Sequence, residues 1–402
     1  MKKGPTIKPH KKGGFYTTYR KKFIYGSSEQ AVMDKYIEAR SLDAQGIDIK
    51  QNPLTKDYAI WWFNLYKKGK GSINTQKMYA NIVNNHVIPA LGEQRIKGVR
   101  TSDVQELLNA TASSASLQQK VRITLNQIFN KAIADRLILV NPVIGTDPVE
   151  TPEPIRACYT PEQRNILIEL FHESKIFPLL FTILNTGLRA TEAIALMKNR
   201  DIDLKNNRIR VRESTEFDKS QPQKAKTKTE RSVRVVPIPS AFADWMGSYL
   251  KTQKSLYVFP GAQGGQMGLT MLKSRQKQAN TKIENWLSNA EAAFEKRKRK
   301  DGLTDKEREM LRLFDPLLEN TPDGEDYHFR LHFKTLRHTY CTELFDLGID
   351  EVSAAKIMGH TVSVMREIYT HIQKGRQQQT IDKIEGLYQN NLIKFPQKRE
   401  SK

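Results

Sequence analysis

The stretch NPVIGTDPVETPEPIRA, residues 141–157, places four prolines in seventeen positions. Each proline fixes φ and removes a backbone donor, so neither a helix nor a strand ladder runs through such a segment. It reads as an extended linker, with residues 144–157 as the linker proper. A chain of 402 residues divided in this way has enough sequence on each side for separate cores.

Upstream of the break the pattern changes once. Every charged side chain up to Lys22 is basic, and GFYTTYRKKFIYGSS alternates aromatic or β-branched residues with polar ones before Glu29–Arg40 takes a helical period. A small sheet backed by a helix is expected over residues 1–50. Its Lys11, Lys12, Arg20, Lys21 and Lys22 suit a β-ribbon entering a DNA groove, and equally a solvated basic strand. Residues 51–143 read as helical: LTKDYAIWWFNLYKK, NTQKMYANIVNNHVI and SLQQKVRITLNQIFNKAIADRLI space their apolar residues by three and four, and TSDVQELLNA opens on hydroxyl caps. Their apolar faces need one another, which makes a four-helix unit the economical arrangement.

Downstream, residues 158–392 form one mostly helical domain from YTPEQRNILIELF onward, interrupted by two alternating strands, NRIRVRES and RSVRVVPIP, with a Lys-rich turn between them. Within it, residues 262–326 are expected to insert a helical hairpin whose second arm starts at the capping box Thr304–Glu307. Residues 393–402 are a basic tail. The fold class is mainly α with small β elements, an α+β chain.

Composition narrows the partner. The formal charge of +21 points to a polyanion. An anionic membrane is the other candidate, but the best apolar run, IFPLLFTIL, is too short to span one and contains a proline. The basic N-terminus lacks the apolar stretch of a signal peptide, so a cytoplasmic, nucleoid-associated protein with no membrane partner is expected. Cys158 and Cys341 have neither CxxC spacing nor a His cluster, so no disulfide framework and no metal site is indicated.

Four motifs can carry chemistry. In NTGLRATEAIAL, Arg189 stands where a helix begins, beside unpaired backbone N–H groups that suit a phosphate, and Glu192 lies on the same face; an ordinary surface pair is the competing reading. In HFKTLRHTYCTELFDLG, Leu336, Tyr340, Leu344 and Leu347 form an apolar stripe and Thr335 suits an N-cap. Lys334 and Arg337 sit off that stripe at the positive end of the helix, where an anion would balance them; a merely solvated pair of cations is the competing reading. In KAKTKTERSVRVVP, a lysine at the turn can reach a bound phosphate or simply stand in water. The fourth is MGHTVSVMREIYTH: on one unbroken helix, about 100° per residue would set His360 and Tyr369 on opposite faces. Gly359 can close one helix, however, and Ser363 can cap the next, so that both side chains converge.

The spacing and order of GLRATE, LRHTYCTELFDLG and MGH followed by YTH resemble the tyrosine recombinases, the phage and conjugative-transposon integrases in particular, and the resemblance extends over nearly the whole chain. It implies an arm-site DNA-binding module, a core-binding domain ending near LILVNPV and a catalytic domain. It makes Arg189 and Arg337 the grip on the scissile phosphate, with Glu192 supporting the first. Lys228, or Lys226 one strand position away, becomes the proton donor to the leaving 5′ oxygen. His360 becomes a phosphate hydrogen-bond donor and Tyr369 the nucleophile. Lys334 occupies the place where the family most often has histidine; lysine is a poorer base near neutral pH, which leaves the general base open.

The implied reaction is site-specific cleavage and rejoining of duplex DNA through a 3′-phosphotyrosyl link, for integration or excision of a mobile element or prophage. Two guanidiniums replace a metal, and the covalent link conserves the phosphodiester energy, so no cofactor or ATP is expected. The resemblance further implies a homotetramer on DNA, and an excisionase and a DNA-bending host factor are the accessory partners expected with it. The tail with Ile381, Ile384 and Leu387 docks either on its own domain or on a neighbouring subunit. A type IB topoisomerase, a silent architectural DNA binder and a metal-dependent nuclease are the rival readings.

Overall fold

The computed structural model describes residues 5–148, 158–226, 233–322 and 326–375. Two compact units are present, Met1–Pro154 and Ile155–Lys402.

The first unit opens with an antiparallel sheet of β1 (Lys8–Pro9), β2 (Phe15–Tyr19) and β3 (Lys22–Gly26), backed by α1 (Glu29–Ala44). Alternation along β2 and β3 turns Thr17 and Ile24 inward, and Phe23 and Tyr25 outward, about half exposed. The turn joining these strands holds Arg20 and Lys21 at φ 46° and 65°, the left-handed region. Then follow α2 (Thr55–Tyr66), α3 (Ile73–Ile82), α4 (Ile88–Leu91), α5 (Thr101–Ala110) and α6 (Ala115–Ala134). A π-turn over Val83–Val87 joins α3 to α4, with the Ile88 N–H donating to the Val83 carbonyl just before Pro89, which has no N–H to give. The helices share a core around Trp62, Leu108, Leu125, Ile128 and Phe129, each at most 1% exposed.

The expected linker is shorter than its prolines indicate. Asn141 is buried and donates to Asn126 and Asn130 on α6, Val143 enters the helical core, and the Asp147 N–H donates to Gln105 on α5. Local hydrogen bonding by an asparagine side chain fastens a segment that has no periodic pattern to reveal it.

The second unit contains α7 (Pro161–Phe171), α8 (Phe177–Thr186), α9 (Ala190–Ala193), α10 (Lys198–Asp201), β4 (Ile202–Asp203), β5 (Arg208–Val211), β6 (Glu213–Asp218), β7 (Gln221–Lys226), β8 (Arg234–Pro237), α11 (Ser240–Thr252), α12 (Leu269–Lys298), α13 (Asp305–Glu319), α14 (Phe333–Asp346), α15 (Glu351–Met358) and α16 (Val362–Gly375). The antiparallel sheet β4-β5-β8 matches the two alternating strands read from sequence. Part of the Lys-rich stretch read as a turn is instead a second hairpin, β6–β7. Pro222 hid it, since proline argues against a central strand but is tolerated in a two-stranded ribbon.

The α12–α13 hairpin is built into the main core. Ala279, Ile283, Leu287, Ala290 and Ala293 line one face of α12 and are buried with Leu311, Phe314 and Leu317 of α13. The capping box at Thr304 forms, its hydroxyl accepting from the Glu307 N–H and the Glu307 carboxylate accepting from the Thr304 N–H. Among the described residues no helix is long and apolar enough to cross a membrane. Because Ile283 is fully buried, Ile283→Ala should cost roughly 2–5 kcal/mol in urea unfolding, whereas a hairpin merely appended to the surface would lose far less.

Candidate active site

Two glycines create the frame of the site. Gly187 ends α8 at φ 63° and Gly359 ends α15 at φ 65°, the left-handed caps that a side chain resists. A Cβ on Gly187 would also stand 2.5 Å from the Tyr340 ring. Caps of this kind leave carbonyls at the negative ends of both helices facing a common space. The Arg337 guanidinium fills it, donating to the Gly187 carbonyl at 2.6 Å, to the Met358 carbonyl, and to His360 Nε2 at 2.7 Å. Arg337 is 5% exposed.

Glu192 is the second organising group, a carboxylate 2% exposed. Arg189 donates to its Oε1 at 2.7 Å through Nη1 and to its Oε2 at 2.9 Å through the backbone N–H; Arg337 Nη1 lies 3.8 Å from Oε2. The Arg189–Glu192 pair is therefore part of a larger cluster, not an isolated surface pair. A third arginine completes it. Arg234, at the start of β8, donates to both carboxylate oxygens at 3.1 and 2.9 Å, and through Nε to the Ile357 carbonyl at 2.7 Å.

Arg234 went unread in the sequence because the strand inverts the usual pattern. Val233 and Val235 point outward, 55% and 50% exposed, while Arg234 is 8% exposed between them. The available signal was a charge at an alternating position that the valines alone would have placed in water.

Three arginines about one carboxylate leave an excess of positive charge. Burial pushes the Glu192 carboxyl up, but hydrogen bonding and charge from Arg234, then Arg337 and Arg189, hold it at about 2. Burial, then Arg337, Arg189 and Arg234, push the His360 imidazole down to about 3, so it is neutral near pH 7. Since Nε2 accepts from Arg337, the ring proton sits on Nδ1, which is buried without a hydrogen-bond partner among the described residues. Arg337 itself is lowered to about 9, by burial and then by Arg189. An anion bound here would relieve all three conditions.

Lys334 is exposed on the first turn of α14. That helix starts at Phe333 after an extended His332, so Thr335 is inside it and is not the N-cap. Tertiary contacts fix its start instead: the His332 N–H donates to the Tyr159 hydroxyl, and Gln276 and Asn280 of α12 hydrogen-bond Leu331. Leu347, read as the last member of the apolar stripe, is 75% exposed where the helix ends.

Tyr369 lies on α16, which Thr361 caps rather than Ser363, the Thr361 hydroxyl accepting from the Val364 N–H. Its ring packs edge-on against Phe345, and its hydroxyl donates to the Ile349 carbonyl at 3.0 Å instead of meeting the arginines. Burial pushes this phenol up to about 12, with Cys341, Asp350 and Glu351 adding to the effect. Lys226 ends β7 opposite Glu213, and Lys228 lies outside the described residues. In the first unit Lys11, Lys12 and Lys21 are exposed, Arg20 pairs with Asp43 at 2.8 Å, and Lys22 donates to the Ile49 carbonyl.

Glu192→Gln should lower the stability of the second unit by roughly 3–5 kcal/mol at neutral pH, because three guanidiniums lose their buried counter-charge. The native carboxyl titrates at about 2 against 4.5 ordinarily, so its contribution is present above 4.5 and lost as the pH falls toward 2; urea unfolding of wild type and variant should converge over that range.

Comparison with known proteins places this geometry. The profile of the phage integrase family matches residues 167–376, and that of the phage integrase N-terminal SAM-like domain matches residues 56–111. A tyrosine recombinase XerC-like protein of Caldanaerobacter subterraneus subsp. tengcongensis is 22% identical over 92% of each chain. Among solved structures, the Tn1549 transposon integrase in complex with transposon right end DNA superposes with a TM-score of 0.60 at 18% identity, over 79% of this chain and 94% of that one. A lambda integrase tetramer bound to a Holliday junction gives 0.53 at 14%, over 90% and 97%. With more than half of its length matched, including the arginine cluster, this chain belongs to the phage integrase family and is a tyrosine recombinase, an enzyme that cleaves and rejoins DNA.

Proposed function

We propose that the chain integrates or excises a mobile element by cutting duplex DNA at attachment sites, and that the cluster around Glu192 is its scissile-phosphate cradle. The observation that carries this is the buried His360 Nδ1–H, a donor with no acceptor among the described residues, beside two guanidiniums. An unmet buried donor costs about 1–3 kcal/mol, which a phosphate oxygen would offset.

In this reading Arg189 and Arg337 hold the non-bridging oxygens, and His360 donates to one of them. As Tyr369 Oη attacks phosphorus, negative charge gathers on those oxygens and the fixed cations stabilise it. Lys228, or Lys226, gives its proton to the departing 5′ oxygen. The products are a 3′-phosphotyrosyl bond and a free 5′ hydroxyl; attack by another strand's hydroxyl reverses the step. Lys334 supplies a further cation at the rim. For attack, Tyr369 must leave Ile349 and approach the guanidiniums, whose charge then lowers the phenol from its raised value.

We assign residues 1–50 to arm-type sites, 51–143 to core-site DNA and 158–392 to catalysis. The family matches at 56–111 and 167–376 support the last two assignments, and the basic tip at Arg20 and Lys21 supports the first. The lambda tetramer supports a four-subunit assembly on DNA, with the segment beyond residue 392 and the Ile381–Leu387 stretch, which lie outside the described residues, as the linking tail. An excisionase and a DNA-bending host protein are the expected accessories.

Incubated in EDTA with a nicked attachment-site duplex, the wild-type protein should give an adduct that survives denaturant. Tyr369→Phe should abolish it, leave DNA affinity within about twofold, and cost about 1 kcal/mol of stability from the lost bond to Ile349. Affinity should fall by roughly 10³ or more between 50 and 200 mM salt if six or more phosphates are contacted. An adduct that persists in Tyr369→Phe removes the nucleophile, and one that requires metal removes the mechanism.

A further inference from the structure

We propose that Arg234 is a positioning residue for this reaction: it saturates the Glu192 carboxylate and locks the end of α15, so that Arg189, Arg337 and His360 stay aimed at the phosphate site. The inference rests on the active-site reading above and deepens it.

Glu192 is an anion within reach of all three arginines, and it is a permanent rival to the phosphate. Arg234 occupies it with two parallel hydrogen bonds in the planar arrangement that suits a guanidinium and a carboxylate. Arg337 accordingly stays 3.8 Å away from it, held in place by the Gly187 and Met358 carbonyls and His360. Without Arg234, the bare carboxylate would draw Arg337 across that gap and tighten on Arg189, turning both guanidiniums away from the phosphate site.

The second part is mechanical. Arg234 Nε donates to the Ile357 carbonyl, and the guanidinium lies against the backbone of Gly359: a Cβ built there would be 2.9 Å from Nη1 and 3.1 Å from Cζ. One side chain thus joins β8, α9 and the turn that aims His360. A misplacement of about 1 Å in such a constellation costs on the order of 100-fold in rate.

Arg234 also follows Lys228 by six residues, so it could act instead by placing the leaving-group lysine. Chemistry separates the two. A bridging sulfur in place of the 5′ oxygen departs without a proton, which removes the demand on the lysine but not the demand on the cradle.

The test uses the full chain and suicide duplexes with oxygen or sulfur at that position, at saturating DNA in a single turnover. Arg234→Met should bind DNA with an affinity near wild type and form adduct about 100-fold more slowly on both substrates. Adding Glu192→Gln to it should recover roughly tenfold, the size of coupling between contacting residues, since the rival anion is gone. Arg234→Lys, which retains the charge but loses the planar fork, should be slower by about tenfold and covers the case in which the methionine variant fails to fold.

A folded Arg234→Met or Arg234→Lys that cleaves at the wild-type rate overturns the inference. So does full rescue by sulfur, which would assign the effect to the lysine, or a folded double variant no faster than Arg234→Met. Wild type and Tyr369→Phe run alongside: an adduct present in the first and missing in the second upholds the active-site reading, whatever the Arg234 variants do.

Discussion

A single buried carboxylate organises the catalytic unit. Glu192 is expensive to bury as an anion, and it is stable only because Arg189, Arg234 and Arg337 surround it. Those arginines come from a helix start, a strand and a second helix far apart in sequence, so satisfying one charge fixes three elements relative to one another. The cluster then carries more positive than negative charge, and on the proposed mechanism that excess, together with a His360 donor that has no partner among the described residues, is what the scissile phosphate meets. Stability and reactivity share a cause here: the group that holds the cations in place is too small to neutralise them.

The helix ends do comparable work. Arg337 is buried among like charges, yet it is held by carbonyls at the negative ends of α8 and α15, which face it because Gly187 and Gly359 take the left-handed conformation. The α12–α13 hairpin braces the same site from behind, since Gln276 and Asn280 grip Leu331 just before α14 begins. Tyr369 stands apart from this rigid assembly, on α16 with its hydroxyl given to Ile349. On the proposed mechanism this division separates an anion-binding cradle from a nucleophile that must travel to it, and tyrosine placement becomes the step at which cleavage can be governed.

Much of this was legible in the sequence. Local signals, such as the glycine caps, the capping box at Thr304 and the helical periods, depend on neighbours within one turn, and they were read correctly. Arg189, Glu192, Arg337 and His360 were found through motif order, and the structure brings them together. What escaped depended on partners distant in the chain. Thr335 fits an N-cap by type, but Tyr159 and α12 start that helix three residues earlier. Thr361 displaced Ser363 as the cap of α16, Asn141 turned apparent linker into ordered structure, and Pro222 concealed a hairpin. Arg234 was the most consequential omission: its role comes from Glu192 and Ile357, neither of which is near it in sequence.

Whether the phosphate held by this cradle becomes bonded to Tyr369 can be read by trapping the protein on a suicide attachment-site duplex, digesting both components and sequencing the nucleotide-bearing peptide by mass spectrometry. The proposed mechanism puts a 3′-phosphonucleotide on Tyr369, within the peptide that follows Arg366. A nucleotide carried by any other side chain, or its absence from a reaction that has cleaved the DNA, would contradict it.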